Sequence, residues 1–145
     1  MPVISQLVLM KQAADLHSAT VNQIAITQVA EQHFDSHVDT IRSAYSARRG
    51  VMLKALEEHM PEAVSWTKPE GGMFIWVTLP EALDGADLLA ESLKTERVAF
   101  VPGHAFFADG SGRNTLRLSY ATSDEARIAE GIKRLGNLIT KALDV

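Results

Sequence analysis

The chain has 145 residues, 46% of them hydrophobic and 22% charged, with 14 Lys and Arg against 18 Asp and Glu for a net charge of −4. That length supports one ordinary domain with a sizeable core, and the balance of apolar and charged residues is that of a soluble globular protein, which excludes a disordered or membrane class. No cysteine occurs, so disulfides, thiolate nucleophiles and cysteine metal sites are excluded; the basic residues are scattered singly apart from Arg48-Arg49, which argues against nucleic acid, since phosphate backbones need a concentrated positive face.

The opening "MPVISQLVLMKQ" lacks the basic stretch and small-residue cleavage site of a secretory signal, and no apolar run is long enough to span a bilayer. A soluble, cytoplasmic protein without a membrane partner is expected. Residues 3–15 and 19–34, rich in Ala, Gln, Leu and Ile and free of Gly and Pro, predict two helices separated by "LHS". The second carries Val21, Ile24, Ala25, Ile26, Val29 and Ala30 on most of its circumference, and a helix of that kind needs cover on several sides. Asp35 or Ser36 then offers an N-cap for a third helix, in which Val38, Ile41, Tyr45, Met52 and Leu56 recur at helical spacing until Pro61.

A strand near "AVSWTK" and another over "MFIWVTL" follow, the second reading as buried on both faces. The punctuation Lys68-Pro69-Glu70-Gly71-Gly72 between them predicts a hairpin or close antiparallel pair. A Gly-Gly pair at the mouth of a strand marks a tight turn, a bulge, or a place where something approaches the main chain closely. A helix over 85–95 is capped by Asp84, with Asp87 in the capping-box position. After it come the strand "VAFVP", the irregular loop "GHAFFADGSGR", the strand "NTLRLSY", and a last helix opened by the box Thr122-x-x-Glu125. The order ααα-ββ-α-ββ-α predicts an α+β fold with helices packed on a small sheet.

In "NTLRLSY", alternation sends Leu116 and Leu118 to one face and Thr115, Arg117 and Ser119 to the other. Spacing leaves two readings of Arg117 open: a solvated arginine on an open sheet face, or a guanidinium held on a stiff strand at the edge of a cleft, where it would grip a carboxylate through two parallel hydrogen bonds. Phe106 and Phe107 either anchor their long loop or wall a pocket. "GSG" leads into a strand and not a helix, which makes it a poor phosphate cradle. His33 and His37 have a metal-ligand spacing, but the expected helix start at Asp35-Ser36 would break their shared face, so no metal site is expected. No nucleophile elbow or pair of catalytic carboxylates is present.

With "KPEGGMFIWVTLP", "VAFVPGHAFFADGSGRNTLRLSYAT" and "IAEGIKRLG" in this order, the chain resembles the C-terminal third of a fold-type I pyridoxal-phosphate (PLP) aminotransferase of class I/II, closest to the 2-aminoadipate and kynurenine aminotransferase-like group. The resemblance covers essentially the whole chain. It implies that residues 36–145 are the small C-terminal domain, with an antiparallel-rich sheet, and that residues 1–35 are a helical remnant of the PLP-binding large domain. It also implies that Arg117 grips the substrate α-carboxylate, that Gly72, Met73 and Phe74 lie beside the substrate pocket, and that Phe106 and Phe107 belong to the loop covering it. "KQAADLHSATVNQ" resembles a family segment that puts His17 and Ser18 at a homodimer interface near the partner's active site.

The partners so implied are an amino acid, a 2-oxo acid, a second subunit and the absent N-terminal PLP-binding part. None of the six lysines has the family's serine-rich Schiff-base context, so this chain alone is expected to bind no PLP and to be inactive, with no catalytic residue of its own. Two other readings stand beside this one. One is an aminotransferase-like effector domain of a transcription regulator; the other is a free-standing α+β binding module.

Overall fold

The structure, a computed structural model, describes residues 2–144. Its elements are α1 (Pro2–Ala14), α2 (Thr20–His59), β1 (Ser65–Trp66), β2 (Phe74–Thr78), α3 (Gly85–Thr95), β3 (Val101–Pro102), a 3-10 turn (Gly103–Phe106), β4 (Thr115–Ser119) and α4 (Glu125–Leu143). The fold is α+β, with helices and a four-stranded antiparallel sheet in the order β1-β2-β4-β3. Two compact units divide after Ile41, inside α2.

The expected helix break at Asp35-Ser36 does not occur: α2 is continuous for 40 residues. No Gly or Pro stands near this junction, Gly50 lying well beyond it, and the hydroxyls that favour caps are spent along the helix instead. Ser36 Oγ donates to the His33 carbonyl at 3.1 Å and Thr40 Oγ to that of Ser36 at 2.9 Å, the back-bonding that lets such residues sit in mid-helix. In the first unit, α1 and the start of α2 are joined by a turn in which Leu16 adopts a left-handed φ of 62°. Their apolar side chains are widely exposed, among them Val3, Met10, Val21 and Ile26.

The second unit holds the core. Ile75 and Val77 of β2 and Leu116 and Leu118 of β4 point to one face of the sheet and are buried with Met52 and Leu56 of α2, Leu88 of α3 and Ile128, Ile132, Leu135 and Ile139 of α4. Each such side chain contributes roughly 1.5–3 kcal/mol of burial. The central pair β2–β4 runs in register from Phe74↔Ser119 to Thr78↔Thr115, and Leu79 N–H to the Asn114 carbonyl (2.8 Å) and Asn114 Nδ2 to the Leu79 carbonyl (2.7 Å) extend it. The outer strands are two-residue stubs, and Pro102 sits on the edge where its missing N–H costs least. Contrary to the expectation of a doubly buried strand, β2 is buried on one face only: Phe74 is 36% exposed, and Trp76 is half-buried.

Helix α4 starts later than the Thr122-x-x-Glu125 box predicts. Asp124 is its N-cap, its carboxylate accepting from Arg127 N–H at 2.8 Å; Glu125 is thereby the first helical residue, too early to reach back. Asp84 caps α3 as expected, Oδ1 accepting from the N–H groups of Ala86 (2.7 Å) and Asp87 (3.4 Å). Its other oxygen is held by Arg113 Nε at 2.8 Å. That guanidinium, followed by the cap bonds, holds the Asp84 carboxyl below its ordinary pKa.

The turn before β2 has its own supports. Gly72 has φ 85°, a left-handed conformation closed to most side chains. Tyr120 Oη donates to the Gly71 carbonyl at 3.2 Å, Tyr120 N–H to that of Met73 at 3.1 Å, and Arg49 Nη1 to that of Pro69 at 2.9 Å. Tyr120 is buried, and that burial pushes its phenol above the usual pKa, with Arg49 opposing.

Two predictions follow from these local geometries. Gly72→Ala lowers the unfolding free energy by roughly 1–2 kcal/mol and Gly72→Asn by less, measured by urea denaturation; since nothing lies within 4 Å of the added Cβ, equal costs for both would show that backbone conformation is not the cause. Asp84→Ala costs about 1 kcal/mol at neutral pH. Because the folded pKa of Asp84 is depressed, its charge contributes fully above the ordinary carboxyl value near pH 4 and is lost as pH falls through the folded value. The stability lead of wild type over Asp84→Asn therefore shrinks below about pH 4; a lead unchanged down to full protonation would refute the pairing.

Candidate functional site

The face of the sheet opposite the core carries Arg117, and the register brings Trp76 and Val101 directly beside it, since both are its cross-strand partners. Phe74 lies one step along β2 on the same face. The Arg117 Cζ stands 4.0 Å from the centre of the Phe74 ring and 4.5 Å from that of Phe106. Trp76 meets Phe106 edge-on at 5.6 Å between centroids and Phe107 at 6.0 Å. A half-buried cation is thus surrounded by aromatic rings on a stiff strand.

The guanidinium is held without being satisfied. Contact with ring faces uses the cation's charge and not its N–H groups, and no carboxylate, carbonyl or hydroxyl accepts from Arg117 among the described residues. Five donors in a planar fork remain available, the arrangement that matches a carboxylate through two parallel bonds. Phe74, Phe106 and Phe107 keep exposures of 36%, 49% and 40%, so the cluster faces outward.

The 3-10 turn is seated on this face by a close approach. A Cβ on Gly103 would collide with the Thr115 side chain and lie 2.9 Å from Trp76 Cζ2. Only glycine lets the backbone reach the sheet there, and the next three residues then carry Phe106 over Arg117.

Of the residues singled out in the sequence, Arg117, Phe74 and Phe106 come together. Phe107 reaches the cluster through Trp76. Met73 is exposed and Gly72 shapes the turn leading to Phe74. His17 and Ser18 lie in the turn of the other unit, where His17 Nδ1 bonds to the Ser18 carbonyl at 2.8 Å and Gln23 Nε2 donates to that same oxygen at 2.6 Å. Trp76 escaped the sequence reading although alternation puts it on the face of Phe74; only the pairing with β4 sets it opposite Arg117. Arg49 and Tyr120, which hold the turn, had no signal in the sequence.

His33 and His37 do share a helix face, correcting the expected break between them, and with Ala25, Ile26, Val29, Ala30 and Phe34 they line a shallow apolar concavity. No group of three or more metal-ligating side chains exists among the described residues. Nor do those residues fit a resident PLP. Lys11, Lys54, Lys68, Lys94, Lys133 and Lys141 are all exposed, and Lys11, Lys54 and Lys68 pair with Asp15, Glu58 and Glu57, whereas a Schiff-base lysine needs a desolvated amine. Among the described residues, no helix is long and apolar enough to cross a membrane.

Residues 2–135 match the profile of the family described as aminotransferase class I and II. The chain is 44% identical over 136 residues to a 2-aminoadipate transaminase of Thermus thermophilus, covering 94% of this chain and 34% of that protein. To aromatic-amino-acid aminotransferase 1 of Thermococcus litoralis it is 45% identical over 141 residues, 97% of this chain and 34% of the relative. Among solved structures, an α-aminoadipate aminotransferase of Thermus thermophilus, complexed with N-(5'-phosphopyridoxyl)-L-leucine, superposes with a TM-score of 0.89 at 43% identity, over 99% of this chain and 36% of that one. The chain spans about a third of the length of these relatives. With a profile match over nearly its whole length, this chain belongs to the class I and II aminotransferase family.

Proposed function

We propose that this chain is the C-terminal, substrate-binding part of a PLP-dependent aminotransferase that moves an amino group from an amino acid to a 2-oxo acid. In this reading Arg117 takes the α-carboxylate common to all such substrates, while Phe74 and Phe106 form the apolar surroundings of that head group and Gly72 and Met73 lead the chain past it. The observation that carries the reading is the Arg117 guanidinium: fixed on a paired strand, flanked by ring faces, with its donors unengaged among the described residues. A rigid bidentate clamp of this kind fixes the substrate's orientation and reduces what must be ordered when the reaction occurs.

PLP, when bound, would supply the electron sink for the chemistry. The Schiff-base lysine and phosphate cup would come from the two thirds of the relatives' length that this chain does not cover. Residues 36–145 would be the small domain and residues 1–35 a helical piece of the PLP-binding one. Large exposed apolar residues on α1 and early α2, such as Ile4, Leu7 and Ile24, support a larger body and a homodimer around them, because soluble monomers rarely expose so much contiguous apolar surface. His17 and Ser18 would then lie near the partner's active site.

The test has two arms. The 145-residue chain with PLP, 2-aminoadipate and 2-oxoglutarate forms no glutamate; robust transamination would refute the division of labour. In an enzyme completed with the remaining part, Arg117→Ala raises the apparent KM for monocarboxylic and dicarboxylic amino acids alike, by roughly 10- to 100-fold for the loss of a charge-assisted hydrogen bond. A KM unchanged by that substitution removes Arg117 from the site.

A further inference from the structure

Phe74 and Phe106 differ from ordinary wall residues in one respect: they touch the arginine itself. Two ring centres lie within 4.5 Å of Arg117 Cζ, although the side chain has no ion pair or hydrogen bond to anchor it among the described residues. A free arginine side chain carries about 2 kcal/mol of rotamer entropy, all of which a ligand would have to freeze. The rings contribute the ordering beforehand. They come from two different elements, β2 and the 3-10 turn, and Trp76 meets Phe106 from the side at 5.6 Å, so that ring has a packing partner besides the arginine.

We infer that Phe74 and Phe106 are positioning residues that hold the Arg117 guanidinium by its π-faces and thereby keep its N–H edge free and preorganised for a carboxylate. A carboxylate partner within the protein would also order the arginine, but it would consume the donors that the substrate needs. Ring faces order the cation and leave its hydrogen-bonding capacity intact. The same rings replace water around the cation, which strengthens a charge-assisted bond to an incoming anion. The inference deepens the carboxylate reading given above and rests on it for the nature of the ligand.

The experiment uses the 145-residue chain labelled with 15N,13C-arginine. Side-chain NMR reports the rotation of the Arg117 guanidinium about its Nε–Cζ and Cζ–Nη bonds, and an acetate titration, with methyl acetate as the uncharged control, reports carboxylate affinity. Wild type shows hindered rotation. Phe74→Leu and Phe106→Leu, with backbone amide spectra that remain dispersed, each speed that rotation and weaken acetate binding about two- to fivefold, whereas Phe74→Tyr, which keeps a ring face, restores both. Unchanged rotation in the leucine variants overturns the inference, and so does faster rotation with undiminished acetate affinity. A wild-type chain whose Arg117 signals ignore acetate overturns the carboxylate reading instead, while the rotation comparison still decides whether the rings hold the cation. Should Phe74→Leu lose its dispersed spectrum, the comparison of Phe106→Leu with wild type decides alone.

Discussion

The antiparallel register between β2 and β4 is the constraint on which this site depends. With Ile75 opposite Leu118 and Val77 opposite Leu116, one face of the pair is wholly apolar and closes on α2 and α4. Trp76 opposite Arg117 then necessarily falls on the other face. A slip of one residue on either strand would exchange the faces and drive the arginine into the core, where an unpaired charge costs several kcal/mol. The hydrophobic core therefore does two things at once: it stabilises the unit, and it fixes on which side the cation stands.

Around that pair, the site is supported by backbone contacts more than by charge pairs. Arg49 and Tyr120 spend their donors on the carbonyls of Pro69 and Gly71, and Arg48 Nη1 bonds to the carbonyl of Ala121 just after β4. Helix α2 is thus tied both to the turn that precedes Phe74 and to the segment that follows Arg117. Tyr45, stacked edge-on against Tyr120 at 6.5 Å, adds an apolar contact at the same place. These partially buried bonds contribute where the exposed salt bridges on the helices contribute little. On the opposite flank, the close approach of Gly103 to Thr115 seats the turn carrying Phe106. The guanidinium is in this way bracketed by two backbone turns, each with its own anchor in the core.

The first unit obeys a different logic. Its helices expose Leu, Ile, Val and Met side chains on most sides, and its internal bonds are local, such as Lys11 to Asp15 (2.9 Å) and Thr27 Oγ1 to the Gln23 carbonyl (2.8 Å). Helices of this kind gain most of their stability from packing against other elements, so the proposal of a larger enzyme accounts for them in a way that a free-standing binding module does not.

Sequence alone determined the α+β class, the alternation of β4 that separates Leu116 and Leu118 from Arg117, the Asp84 cap and the glycine turn ahead of β2, because each is written in residues adjacent along the chain and enforced by local sterics or periodicity. It misplaced what depends on competition between near-equal local choices: the supposed break at Asp35-Ser36, where back-bonded hydroxyls let the helix continue, and the start of α4, where Asp124 outcompeted Thr122. Tertiary structure decided the rest. Whether Arg117 was solvated or held could not be read from "NTLRLSY", since its neighbours Phe74, Trp76 and Phe106 lie 43, 41 and 11 residues away in the chain and are brought together only by strand register and by the close approach at Gly103. Contacts between distant residues follow from how faces are buried together, and no local pattern encodes them.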